Sequence, residues 1–170
     1  MIKPLYTAFF VLLFNSCTPK HVVQGDSSME PSIKKGDILE VDKNAYRAIK
    51  PRRWDVVLFE SPRGSGSEWV MRIVGIPGEK IDFSKTGVTI NGHPAAIPEN
   101  LKTKHVPPIQ ETKGFVVAVG LNLIDFPYTV PEDCYFVMGD NQKESLDSRY
   151  WGGLNFRKLR GKITGVIPQR

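Results

Sequence analysis

Apolar residues in this chain come in short runs broken by turn-forming residues, and no run of three or more turns shows the spacing of an amphipathic helix. Residues 37–42 alternate in part and predict a strand. Residues 55–59 predict a buried strand. Residues 69–74 predict another, stopped by Gly75 and then by Pro77-Gly78. Short strands are expected over 80–83 and 87–90, followed by the hairpin turn Asn91-Gly92. Residues 115–119, 135–138 and 162–167 complete the set, and 45–49 predict a single helical turn ahead of Pro51. Many short strands with frequent turns predict a mostly β fold, with antiparallel sheets folded over or closed into a barrel-like body. Residues 93–113 are rich in Pro and Lys and lack periodicity. They predict a surface insertion whose outer limits are about 93–130.

Composition narrows the class. The 170 residues are 41% hydrophobic and 24% charged, which fits one folded domain with a real core. The formal charge of +5 is spread along the chain without an aromatic-and-basic pattern, so nucleic acid is not an expected partner. A mildly basic chain suits an anionic membrane surface. His21, His93 and His105 lie far apart, no metal-ligand spacing exists, and no cofactor or metal is expected.

The first 17 residues read as a targeting segment, with 18–170 as the folded domain. Lys3 gives a positive start and residues 5–14 are almost wholly apolar, the length of a signal-peptide core and too short to span a bilayer. Asn15-Ser16-Cys17 is similar to a bacterial lipobox, although Asn15 is not the usual small residue. Lipidation at Cys17, a short uncleaved anchor and simple export all place the domain outside the cytoplasm. Cys134 opens an apolar run and reads as a buried small hydrophobe. A bridge to Cys17 would tie a flexible tail to a core strand.

Two polar stretches carry the candidate chemistry. Gly25-Asp26-Ser27-Ser28-Met29-Glu30-Pro31, followed by Gly36-Asp37, predicts a stiff turn that presents the Ser28 hydroxyl, as a nucleophile requires. The same residue types make plain surface turns. Residues 139–152, Gly-Asp-Asn-Gln-Lys-Glu-Ser-Leu-Asp-Ser-Arg-Tyr-Trp-Gly, follow an apolar strand directly. Their acids, serines and Arg149 read either as a long turn held by an Asp–Arg pair or as a loop that orients an active site.

These two stretches and Arg72-Ile73-Val74-Gly75-Ile76-Pro77-Gly78-Glu79 resemble, in order and spacing, the motifs of bacterial type I signal peptidases, from about Gly25 to Pro168. The resemblance implies a mostly antiparallel β fold acting at the membrane surface. There the family removes signal peptides from exported precursors, after small residues, with a serine–lysine pair. It implies Ser28 as nucleophile, with its backbone N–H helping to hold the oxyanion. Ser145 and Asp147 would orient the base, Arg149 would be the loop arginine, and Arg72 and Asp140 would support the site. Two positions depart from the pattern. The family's lysine stands immediately before the motif arginine, where this chain has Met71, whose thioether is only a weak acceptor. A serine two residues before the nucleophile is replaced by Asp26, which would repel an oxyanion or, given hydrogen-bond reach to the Ser28 hydroxyl, serve as a replacement base. Lys34, Lys35 and Lys80 are further candidate bases. The resemblance thus implies a serine endopeptidase, or a homologue that binds extended peptides without cutting them.

Overall fold

The computed structural model describes residues 20–64, 66–84, 87–98, 101 and 124–169. The targeting segment with Cys17, most of the 93–130 insertion, and the strand expected over 115–119 lie outside them.

Eleven strands are described: β1 (Lys20–Val23), β2 (Ile38–Asp42), β3 (Val56–Glu60), β4 (Glu68–Gly75), β5 (Lys80–Ser84), β6 (Gly87–Ile90), β7 (His93–Pro94), β8 (Tyr128–Thr129), β9 (Cys134–Met138), β10 (Leu154–Asn155) and β11 (Leu159–Ile167). One sheet runs in the order β1-β2-β11-β3-β4-β9-β10 and a smaller one in the order β7-β6-β5-β8, every pairing antiparallel. Asn91-Gly92 joins β6 to β7, with Asn91 at φ 51° and Gly92 at φ 82°, the left-handed pair a two-residue hairpin demands. The helical turn expected over 45–49 is not formed. Those residues make turns and bends, because one isolated helical turn fixes several dihedrals for a single hydrogen bond.

The large sheet is folded over. In a flat sheet β1 and β4 would lie four strand spacings apart, roughly 19 Å, yet Lys20 on β1 forms an ion pair with Glu68 on β4. Register shifts in β11 at Leu159/Gly161 and Ile163/Gly165 supply the extra twist as that strand passes from β3 to β2.

Two apolar clusters fill the interior. Met29, Ile33, Leu39, Val41, Phe59, Met71, Ile73, Tyr135 and Val137 belong to the first, and Val74, Ile81, Val88, Cys134, Phe136 and Met138 to the second. Alternate residues of β9 enter different clusters, so all five of its side chains are buried and its sequence reads as an unbroken apolar run. Cys134 fits the buried reading: desolvation, reinforced by the Asp133 carboxylate, pushes its thiol up to about 11.

Candidate functional site

Ser28 sits in a turn between β1 and β2, 6% exposed, directly before the fully buried Met29. Both of its main-chain polar groups are engaged. Its N–H donates to Asp26 Oδ1 at 2.9 Å, and its carbonyl accepts from the Asn141 N–H at 2.9 Å. Asp26 Oδ1 also accepts from Gln24 Nε2 at 3.0 Å. The carboxylate therefore caps the turn, which is what a short acidic side chain does two residues ahead of a free N–H. The Ser28 hydroxyl makes no hydrogen bond among the described residues. It lines a cavity of about 240 Å³ with Asp26, Trp69, Val70, Met71, Glu144 and Leu146.

Met71 lies in β4 opposite Val57 and is 3% exposed. Arg72, the next residue, faces the other way because side chains alternate along a strand. It holds Asp140 with both arms, Nε to Oδ1 at 2.8 Å and Nη2 to Oδ2 at 2.6 Å, and its Nη1 donates to the Trp54 carbonyl. Asp140 in turn accepts from the Ser32 hydroxyl. The 139–152 loop is thus fastened to the Ser28 turn at Ser32, at the Ser28 carbonyl and at the Ser27 carbonyl, which accepts from Asn141 Nδ2 at 3.2 Å.

Deeper in the loop, Asp147 and Arg149 are fully buried and paired at 2.7 and 2.8 Å. Burial works against the charge on Arg149, but the Asp147 carboxylate more than reverses this and holds the guanidinium above its ordinary value. Asp147 caps the short helix α1 (Ser148–Trp151), accepting from the Arg149 N–H at 3.2 Å. Asp147 Oδ2 and Ser145 Oγ both accept from the Gly139 N–H at 3.2 Å. Arg149 Nη2 also donates to the Gln142 and Ser145 carbonyls at 2.8 and 3.3 Å, which ties the chain between 142 and 149.

Gly139 is the narrowest point. A Cβ there would overlap the Ser145 hydroxyl and lie 2.5 Å from the Ser28 carbonyl oxygen. Gly139→Ala should cost about 1–3 kcal/mol of stability by overpacking. It should also lower any Ser28-dependent turnover about 100-fold by displacing the serine on the order of 1 Å. Thermal melting and precursor cleavage, measured side by side, would separate the two effects.

Residues 2–167 match the family described as signal peptidase, peptidase S26. The chain is 33% identical to a probable signal peptidase I-2 of Synechocystis over 80% of this chain and 57% of that one. It is 33% identical to signal peptidase I V of Bacillus subtilis over 81% and 79% of the two chains. With signal peptidase I of Pseudomonas aeruginosa the identity is 29%, over 95% and 64%. The chain belongs to the S26 signal peptidase family. It spans 57% of the cyanobacterial relative and 64% of the Pseudomonas one. Among solved structures, a signal peptidase I of Enterococcus faecalis shares 28% identity with a TM-score of 0.48, over 68% of this chain and 97% of that one.

The structure brings some of the residues assigned by resemblance to signal peptidases to one place and leaves others apart. Ser28, Met71 and Asp26 share the cavity. Ser145, Asp147 and Arg149 form a buried support behind Gly139, while Arg72 and Asp140 form an ion pair on the opposite side of β4. The Ser28 N–H, expected to be open to an oxyanion, is occupied by Asp26. Asp26 addresses the main chain of Ser28, and no hydrogen bond joins it to the hydroxyl among the described residues. Lys34, Lys35 and Lys80 are exposed and do not line the cavity. Three residues escaped the sequence reading: Asn141, which holds the Ser28 carbonyl, and Trp69 and Glu144, which wall the cavity. Asn141 and Glu144 stand inside a motif already singled out, without a role assigned to either. Trp69 carries no local signal, since only the folded-over sheet brings it to the Ser28 cavity.

Proposed function

We propose that this chain acts on precursors of exported proteins as a serine endopeptidase of the signal peptidase type, with Ser28 as nucleophile and the domain held at the extracytoplasmic membrane surface. The observation that carries the reading is Ser28 itself. Its hydroxyl is unbonded among the described residues and opens onto a cavity in a chain of this family. A second cavity of about 330 Å³ shares Asp26, Trp69 and Val70 with the first and continues past Glu68 to Val22 and Val23. Together they form a groove along β4 in which an extended peptide can lie, with main-chain groups pairing and alternate side chains entering pockets. In the reaction the Ser28 hydroxyl attacks the scissile carbonyl, and its proton must pass to a base. We place Met71 at the position of the family's general-base lysine. Its thioether cannot take that proton, so the carboxylates of Asp26 and Glu144 are the acceptors that line the cavity. Turnover is therefore slow.

A second reading, binding of extended peptides without cleavage, is favoured by a specific pair of observations. Among the described residues no lysine or histidine lines the cavity, and Asp26 occupies the Ser28 N–H. Cleavage of a signal-peptide-bearing precursor by the natural chain and by Ser28→Ala separates the two. Slow cutting by the natural chain, absent in Ser28→Ala, is the expected result. Equal binding by both with no product from either would establish the second reading. No helix among the described residues is long and apolar enough to cross a membrane. We propose attachment through residues 1–17, on the apolar run over 5–14 and the lipobox-like Asn15-Ser16-Cys17. Lipid on Cys17 is the form we propose for it.

A further inference from the structure

We propose that a basic groove, at the end of β2 that leads into Lys43, docks the domain on the phosphate headgroups of an anionic lipid bilayer. This rests on the reading that the domain is held at a membrane surface, and it names the face that meets the lipid.

Two stretches of the chain carry bases and no acid. Residues 43–53 hold Lys43, Arg47, Lys50, Arg52 and Arg53, and residues 156–162 hold Arg157, Lys158, Arg160 and Lys162. Four of these nine bases are neutralised by acids elsewhere: Arg53 pairs with Glu79, Lys162 with Asp55, and Lys158 and Arg160 share Glu60. Lys43, Arg47, Lys50, Arg52 and Arg157 are exposed and make no ion pair among the described residues. The acid next to Lys43, Asp42, is turned to the Asn44 N–H at 2.8 Å.

The two stretches meet because β11 lies beside β2, with Lys162 opposite Asp42. Lys43, Arg47, Arg157 and Arg160 thereby line one groove of about 210 Å³ with Tyr46 and Phe156, and no acid lines it among the described residues. Guanidinium forks match phosphate oxygens in pairs, and the Lys43 ammonium adds a point charge on a flexible stem.

Two observations favour a bilayer over a free anion or an acidic protein. Phe156 is 41% exposed beside these bases, and Ile49, close after Arg47 in the chain, is 53% exposed. Bases flanked by exposed apolar side chains suit a lipid interface, where the charges stay among headgroups and the apolar groups reach the acyl boundary. The second observation is continuity with the proposed attachment. Lys20 pairs with Val41, so the chain enters β1 at the end of β2 that leads into Lys43. Residues 1–17 precede that point in the chain. One attachment leaves the orientation of the domain open, and a second contact at the same end fixes it.

The test is sedimentation of the full chain with vesicles of phosphatidylcholine alone and of phosphatidylcholine mixed with phosphatidylglycerol. Three chains are compared: the natural one, one carrying Lys43→Gln, Arg47→Gln and Arg157→Gln, and one carrying Lys34→Gln, Lys35→Gln and Lys80→Gln. Both variants lose the same charge and change only exposed side chains, but only the first set lines the groove. The natural chain should prefer the anionic vesicles. The groove variant should bind them about 100-fold more weakly, the worth of three bases at an anionic surface converted to affinity. The control variant should keep the preference, and high salt should remove it. Phe156→Ser should weaken binding to anionic vesicles severalfold, by loss of buried apolar area. Equal loss in both triple variants would show attraction by net charge alone and overturn the groove. Displacement by millimolar inorganic phosphate, or tighter binding to polyglutamate than to the anionic vesicles, would assign the groove to a free anion or an acidic protein and overturn lipid docking. If the natural chain binds neutral and anionic vesicles equally, the groove is overturned and attachment through residues 1–17 stands. If it binds neither, both fall.

Discussion

Met71→Lys is expected to raise precursor cleavage by about 10²–10⁴-fold over the natural chain, the range that a positioned general base contributes. The Met71 side chain is 3% exposed and already lines the Ser28 cavity, so an amine of similar length would be desolvated at the right place. Desolvation favours the neutral amine, the form that can accept the Ser28 proton. The Asp26 and Glu144 carboxylates pull the other way by favouring the ammonium. Cleavage by the variant should therefore rise with pH as the amine loses its proton. Asp26→Ser in the same chain removes one of these carboxylates and also releases the Ser28 N–H from its cap. Restoring one such donor is worth about a further 10²–10³-fold. Ser28→Ala in either background should abolish the gain. A Met71→Lys chain that binds precursor, folds and still does not cut would show that the amine does not reach the hydroxyl.

The largest effect on stability is expected at Asp147. Asp147→Ala leaves Arg149 fully buried with its charge no longer neutralised, strips the helix cap of its acceptor and leaves the Gly139 N–H to Ser145 Oγ alone. Breaking a buried pair by removing one partner costs about 3–5 kcal/mol, a large share of the roughly 5–15 kcal/mol that holds an ordinary domain together. The double change Asp147→Asn with Arg149→Met removes both charges and should recover much of that loss. Urea unfolding of the three chains would decide it: equal midpoints for natural chain and single variant would mean that Arg149 finds other partners. Cleavage by the double variant then reports whether the loop still positions Ser28 when only its shape is kept.

Much of this was legible in the chain. The strands around 56–60, 68–75 and 134–138 announce themselves as apolar runs because both of their faces are buried or nearly so. β1 was not legible, because its four residues alternate between half-buried and exposed. Nor were β8 and β10, which are two residues long. Ser28 and the 139–149 loop could be found because their residues are contiguous. Glu144 reaches the Ser27 hydroxyl across 117 positions of sequence, and Trp69 meets Ser28 only through the curl of the sheet. The motif shows that Glu144 is there but not which residue it meets, and no local pattern places Trp69. The cap formed by Asp26 was half legible: its place two residues before Ser28 was visible, but the choice between hydroxyl and N–H as its partner is made by the turn.

β9 gives alternate side chains to the two apolar clusters and runs straight into Gly139. The smaller sheet therefore cannot melt as a separate foldon. Losing it would strip one whole face from a strand that the other sheet needs. Amide protons of β9 should exchange last, and those of the Ser28 turn should follow them closely, since Asn141 ties that turn to the end of the same strand. A cavity-forming change at Ile81 or Val88, in the cluster packed on the other face of β9, would loosen the serine too. The part of the chain that looks like an accessory to the groove sets how still the groove is held.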